Sequence, residues 1–423
     1  MQEDFLHYTW KHKKIDVTNL KTTNDEVITI LSVGQHNLNA GPDFFNAQLK
    51  IDNQLWVGNL EVHIKSSDWF LHNHEQDKAY DNVILHVVWE HDTNVYRKDN
   101  TTIPTLELKE YISRTALNNY QQLFSKTNKW INCEQDFANI DDFMMQNWLE
   151  RLYFERLERK AESINQLLKI SKNDWEAVLF KMLAKNFGLK VNADAFLSMA
   201  NTIDFSIIRK LQNNQTSLEA LFFGQADLLS GDIQDSYFQS LIKEHQFLKQ
   251  KFSLFNENIT PIKFFRLRPS NFPTIRLSQL AGLYNKEQNL FSKINEILTI
   301  KDFYTLFSIE TSPFWESHYT FDKDSKKSKK RLSKAFIDLL IINTIIPIKF
   351  TYAIYQGKQI EEDIVKLIQQ IVSEKNNITQ KFNSLKKVSN SALQSQALLQ
   401  LKNEYCNKNK CLQCTIGNSL LTK

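Results

Sequence analysis

The chain has 423 residues, 42% of them hydrophobic and 24% charged, with a net charge of +4. That length suits two or three domains of ~100–200 residues, and that apolar content excludes a disordered chain. Four cysteines exclude a disulfide scaffold, and no N-terminal run reads as a signal peptide, so a cytoplasmic protein is expected.

Charge is unevenly divided. Residues 1–100 hold 9 basic and 15 acidic side chains, leaving a net +10 on the remainder. An acidic N-terminal part suits a cation. A basic remainder suits an anionic partner such as nucleic acid, although lysine-rich helices are also simply solvated. Eight of the ten histidines lie in the first 91 residues.

In chain order, Glu3 to Trp10 reads as a short amphipathic helix and Val27 to Val33 as a strand. Gln35 to Gly41 is a loop rich in Asn and Gly. Phe45 to Asp52 and Leu55 to Lys65 form a hairpin about Asn53-Gln54. Ser66-Ser67-Asp68 signals a helix that runs to Asp81. Val83 to Trp89 is rich in β-branched residues and suits a strand buried on both faces; Pro104 to Leu108 adds a short edge strand. From Tyr111 the apolar period becomes helical, Gly and Pro are scarce, and no repeat of fixed period is present. The expected fold is therefore α+β. An α/β domain over 1–110 runs helix, three strands, helix, strand, and a helical domain over 111–423 ends in a cysteine cluster. The most apolar helix candidate, Phe336 to Ile348, is too short to cross a bilayer, so no membrane partner is expected.

Chemistry concentrates on Leu60-Glu-Val-His-Ile-Lys65. Alternation sends Leu60, Val62 and Ile64 to one face and Glu61, His63 and Lys65 to the other. Three readings compete. In the first, Asp43 and Glu61 hold Mg²⁺ or Mn²⁺, and His63 or Lys65 positions or deprotonates a water that attacks a phosphodiester. In the second, the histidines bind zinc. The run His72-Asn-His74-Glu-Gln-Asp77 is similar to the H-x-H-x-D-H run of metallo-β-lactamase-like hydrolases, with one residue more before the aspartate and no histidine after it. In the third the residues are structural: His86 is a satisfied core histidine, Asp68 and His72 an i, i+4 helix pair, and Asn37, Asn39 and Gly41 turn formers.

Pro42-Asp43, seventeen residues, then Glu61-Val62-His63 on a strand resembles the PD-(D/E)XK nuclease signature, and the order of elements matches that superfamily's core. The resemblance covers about the first 110 residues. It implies a metal-dependent nuclease in which Asp43 and Glu61 are metal ligands and Lys65 stands in for the usual lysine, since His63 occupies its place. Glu3 matches an acid that many members carry on the first helix. One geometric condition applies. A turn at Asn53-Gln54 pairs Asn46 with Glu61 and sends a regular-strand Asp43 to the apolar face. Asp43 must therefore lie outside the strand or beyond a bulge.

The phrases Asp4-Phe-Leu-His-Tyr8, Gly41-Pro-Asp-Phe44, Ser66-Ser-Asp-Trp69 and Cys411-Leu-Gln-Cys414 resemble a bacterial family known as domain of unknown function 2851. That resemblance implies a cytoplasmic bacterial protein and no particular activity.

Cys406-x4-Cys411-x2-Cys414 has a metal-like spacing, and Cys133 completes a four-thiolate set for zinc or an iron–sulfur cluster. Nucleases of the Cas4 and AddB type are similar, although their lone cysteine precedes the nuclease core. Three reduced thiols on a tail helix are the plain alternative. Lys326, Lys327, Lys329, Lys330 and Arg331 form an exposed basic run suited to phosphate, and Arg266, Arg268 and Arg276 mix cations with aromatics as phosphate-contacting loops do. The chain lacks a Walker loop, a G-x-G-x-x-G run and a G-x-S-x-G elbow. The function expected from these features is metal-dependent hydrolysis of nucleic acid, or nucleic-acid or protein binding by a module that kept the fold and lost the chemistry.

Overall fold

The computed structural model describes residues 1–125, 129–256 and 259–421. The fold is α+β. Two compact units divide the chain: residues 1–148 with 401–423, and residues 149–400.

The first unit opens with α1 (Glu3–Lys11), whose Phe5, Leu6, Tyr8 and Trp10 are buried while Glu3 and Asp4 stay in the first turn. Such an apolar stripe is what sends one helix face to a core. Five strands form a mixed sheet in the order β1 (Ile28–Ser32), β3 (Phe44–Ile51), β4 (Gln54–Lys65), β5 (Val83–Glu90) and β6 (Thr105–Glu107), and β2 (Gln35–His36) pairs with β3. The pairs β1–β3 and β3–β4 are antiparallel; β4–β5 and β5–β6 are parallel. Val83 to Val88 is buried throughout, as a strand between two parallel neighbours must be.

Two local features differ from the sequence reading, and both shape the site. The hairpin turns at Asp52-Asn53, with Ile51 opposite Gln54, so Ala47 faces Gly58 and not Leu60. The strand then slips at a bulge between Phe44 and Ala47. Asn46 sits there at φ +55°, a left-handed conformation that Asn accepts better than most residues. The second feature is the expected helix to Asp81. It stops after one turn, α2 (Asp68–Leu71), and two 3₁₀ turns follow, His74–Gln76 and Lys78–Tyr80. Asn73, at φ +58°, breaks it, and the Asp77 side chain accepts from Ala79 N–H to start the last turn.

Beyond β6 come α3 (Arg114–Leu123) and the long helix α4 (Asp142–Ile170), inside which the division of the units falls. The segment from Leu401, with its three cysteines, belongs to the first unit. The second unit is helical apart from a small hairpin, His318–Thr320 with Lys323–Asp324. Its core holds a buried polar network. Glu219 is fully buried and accepts hydrogen bonds from Ser278 Oγ (2.5 Å) and Tyr237 OH (2.8 Å). Ser312 N–H in turn donates to Ser278 Oγ (3.2 Å), and Trp315 Nε1–H to the Tyr237 oxygen (3.2 Å). The apolar stretch near Phe336 is longer than the sequence implied. It runs from Lys334 to Tyr355, enough by length and composition to cross a membrane, but 72% of its most apolar window is buried inside the protein.

Candidate metal centre

The loop before β3 places Asp43. Asn37 Nδ2 donates to the carbonyls of Asn39 (3.0 Å), Ala40 (3.2 Å) and Pro42 (3.1 Å), and Gly41 takes φ +102°. The turn residues are thus structural, and what they build is the approach to Asp43. Beyond the bulge, Asp43 N–H donates to Glu61 Oε2 (3.1 Å) and Val62 N–H donates to Asp43 Oδ2 (3.0 Å). This reciprocal pair brings the two acids together across the strands. Asp43 Oδ2 also lies 3.1 Å from His7 Nε2 on α1.

Imidazoles surround the other Glu61 oxygen. Glu61 Oε1 lies 3.3 Å from His74 Nε2 and 3.6 Å from His63 Nε2. His63 Nε2 lies 3.1 Å from His72 Nδ1, and its Nδ1 lies 2.8 Å from His86 Nε2. The ligand atoms of His63, His72 and His74 all fall within 4.8 Å of one another. Strand β4 supplies Glu61 and His63. The break at Asn73 supplies His72 and His74 on either side of one left-handed residue. Tyr80 stacks on His74 with ring centroids 3.8 Å apart and fixes its plane.

The electrostatics favour neutral rings at the centre. Burial, and then the proximity of His74 and His72, lowers the His63 imidazole to about 3. Burial likewise takes His86 far below its ordinary value, with His63 adding to the effect. Burial pushes the Glu61 carboxyl up, and the Asp43 charge adds to that rise against the pull of His74. His7 goes the other way: burial lowers it, but the hydrogen bond and charge of Asp43 with the charges of Glu3 and Glu61 outweigh that. Glu3 is raised by burial and then by Asp43, so the first-helix acid stands within electrostatic reach of the group.

A neutral imidazole has one N–H and one lone pair, so rings that face one another cannot all be satisfied by sharing protons. His86 Nδ1 is buried without a hydrogen-bond partner, and His74 Nε2 faces Glu61 Oε1 at 3.3 Å. Surplus lone pairs of this kind are what a cation would accept. Four ligands around a zinc ion at ~2.0–2.1 Å stand roughly 3.3–3.5 Å apart, close to the spacings found here. The donor set is less suited to Mg²⁺, which demands oxygen ligands in near-octahedral geometry; mixed imidazole and carboxylate suits Zn²⁺, Mn²⁺ or Fe²⁺.

Other expected site residues lie elsewhere. Lys65 is exposed at the end of β4, its backbone N–H donates to Asp68 Oδ2 (2.9 Å), and its amine makes no ion pair among the described residues. That same bond takes Asp68 away from the expected side-chain pair with His72. His86 is in the core, yet it is bonded to His63 and left open at Nδ1. The basic run is not the uniformly exposed set that the sequence implied. Lys330 is buried, with Nζ donating to the carbonyls of Trp315 and Glu316 and lying 4.3 Å over the Tyr319 ring. Lys329 and Arg331 pair with Glu310 (3.4 and 2.5 Å) and Lys327 with Glu316 (3.6 Å). Lys326 is exposed and makes no ion pair among the described residues. Arg276 is buried against Asn271, Gln279 and the Phe336 ring. All four cysteines line a single cleft in the first unit.

Sequence reasoning missed the union of its first two readings. The carboxylates and the histidines occupy one place, and His7 joins them. The signal was present in the density of histidine before residue 92.

Fold and site together define an α+β protein with a mixed sheet and a buried imidazole–carboxylate cluster. The chain belongs to the family described as "Protein of unknown function (DUF2851)", whose model matches residues 3–377. No curated protein and no solved structure matches it.

Proposed function

We propose that this protein is a metal-dependent hydrolase of the PD-(D/E)XK type that cleaves phosphodiester bonds in nucleic acid. The observation that carries the reading is the convergence of Glu61 with three imidazole nitrogens beside a locked Asp43. The element order supports it: α1, then β1, β3 and β4, then the short α2 and β5, follows the helix, three strands, helix, strand order of the nuclease resemblance, with the two-residue β2 added.

In this reading Glu61, His63, His72 and His74 hold a divalent transition-metal ion. Such an ion supplies a water of lowered pKa and a Lewis acid for a phosphoryl oxygen. His86 bonds to the remote nitrogen of His63 and sets which of its nitrogens is free to coordinate. Asp43 braces Glu61 through the backbone and raises the affinity of His7 for a proton at the edge of the site, where a cation suits an anionic substrate. Lys65 takes no part.

One observation favours the non-catalytic module. Both oxygens of Glu61 and one of Asp43 already face internal partners. Purified full-length protein should be assayed on single- and double-stranded DNA and RNA with Mg²⁺, Mn²⁺ and Zn²⁺. The hydrolase reading expects cleavage with Mn²⁺ or Zn²⁺ that Glu61→Gln abolishes while binding persists. Binding without cleavage in every metal assigns the module; neither binding nor cleavage at low salt removes nucleic acid from the account.

A further inference from the structure

The chain has only four cysteines, and they meet. Cys133 stands 273 residues before Cys406, yet Cys133, Cys406, Cys411 and Cys414 line one cleft. All four are free thiols. Cysteine is a common core residue, but thiols that only fill space have no reason to gather at one point from the two ends of a unit.

The local chain is built around them. A turn carries Cys133, where Asp136 N–H donates to the Cys133 carbonyl (3.1 Å). After Cys406 the chain reverses at Asn409, φ +53°, and a single 3₁₀ turn over Cys411–Gln413 spaces the last two. Gly417 presses on this turn. A Cβ there would lie 2.1 Å from the Cys411 carbonyl oxygen, so only glycine lets the closing helix, Thr415–Leu421, sit where it does.

We propose that Cys133, Cys406, Cys411 and Cys414 ligate an iron–sulfur cluster of the [4Fe–4S] type. Three observations carry it. First, the ligand count is that of such clusters. Second, the sulfurs are not gathered within 4.8 Å as the imidazole nitrogens are. A single zinc at ~2.3 Å from each thiolate draws the sulfurs to roughly 3.8 Å apart, whereas a cluster spreads them because each thiolate binds a different iron. Third, N–H groups point at the sulfurs. Asn132 Nδ2 donates to Cys411 Sγ (3.3 Å), and the backbone N–H groups of Ile416 and Gly417 serve Cys414. Such bonds stabilise thiolate ligands and tune a cluster's potential.

Without a metal the site is a poor place for thiolates. Burial, with the neighbouring thiols, pushes Cys406 up to about 12 and Cys414 up to about 11, and raises Cys133 and Cys411. Each thiol gives up its proton as its sulfur bonds to iron, and the cluster's iron offsets the buried negative charge. The cluster then ties the segment from Leu401 to the turn at Cys133 within one unit.

The test is anaerobic purification of the full chain, followed by reconstitution with equal amounts of ferrous and ferric iron and with sulfide. The expected result is about four iron and four sulfide per chain with a broad visible absorption. Cys133→Ser and Cys411→Ser should each lower cluster content several-fold, whereas Glu61→Gln should leave it unchanged, which separates this site from the hydrolase reading. Should a serine variant fail to fold, the wild-type stoichiometry still decides. One zinc without sulfide, or a protein that takes up no iron on reconstitution and keeps four titratable thiols, overturns the proposal.

Discussion

Glu61 in the first unit and Glu219 in the second are both buried carboxylates that desolvation pushes upward, and the chain treats them differently. Around Glu219 the partners are hydroxyls: Ser278 and Tyr237 donate to the carboxyl group and accept from Ser312 N–H and Trp315 Nε1–H, while Ser312 Oγ is left without a hydrogen-bond partner. Around Glu61 the partners are imidazoles. His86 Nδ1 has no hydrogen-bond partner, and four imidazoles face one another. Burying polar groups costs free energy unless they are paired. A hydroxyl both donates and accepts, so it adapts to either state of a carboxyl group. Facing imidazoles cannot all be satisfied by sharing protons, and perturbed titratable clusters of this kind concentrate at functional sites.

The largest expected effect sharpens the imidazole side of this comparison. Glu61→Gln should weaken binding of Zn²⁺ or Mn²⁺ by more than the ~100-fold that loss of an outer-shell partner costs, because a direct ligand is removed. His86→Phe should fall within that outer-shell range. Calorimetric titration of the metal-stripped protein measures both, with the cysteine site held constant. Equal affinities in wild type and Glu61→Gln would break the contrast between the two carboxylates.

The hydroxyl side predicts a pH effect. Glu219 keeps its proton up to about 7 in the fold, against a reference of 4.5. Between those values the native state binds more protons than the unfolded chain, so stability falls as pH rises through that window. Glu219→Gln should remove this slope, which amounts to on the order of 3 kcal/mol by pH 8. Denaturant unfolding at pH 5 and pH 8 reads it. A variant that keeps the full slope would assign the pH dependence to other groups.

Smaller effects separate lysines that look alike in the sequence. Lys330→Ala should cost ~1–3 kcal/mol, since it strands two buried carbonyls. Lys326→Ala should stay within about 0.5 kcal/mol and, if the helical unit meets nucleic acid, should lower affinity and its salt dependence. Thermal melts and a binding isotherm at two salt concentrations distinguish the two. The bulge adds an effect of the backbone alone. Asn46→Ala should cost about 1 kcal/mol for a left-handed residue, whereas Asn46→Gly should be neutral.

Much of the architecture could be read from residue order. Alternation in Leu60 to Lys65, the β-branched run at Val83 and the change of period after Tyr111 correspond to β4, β5 and the helices. The turn was misplaced by one residue because Asp52-Asn53 and Asn53-Gln54 offer similar turn chemistry. The bulge that carries Asp43 past the apolar face was legible only as a condition, since a left-handed Asn leaves no periodic signal. The helix after Ser66 was overextended because a capping signal fixes a start and not a stop, and Asn73 reads as an ordinary polar residue. The meeting of Glu61, His63, His72 and His74 depends on that break. Lys330 appeared solvent-exposed because a charge run gives no hint of the carbonyls waiting for one of its members.

The central claim is that Glu61, His63, His72 and His74 are one metal centre. A crystal of the full chain soaked in Mn²⁺, with anomalous diffraction at the manganese edge, tests it most directly. The account predicts a single strong peak within about 2.0–2.4 Å of Glu61 Oε1 and the facing nitrogens of His63 and His74. Imidazoles still bonded to one another at saturating Mn²⁺, with no peak among them, would contradict it.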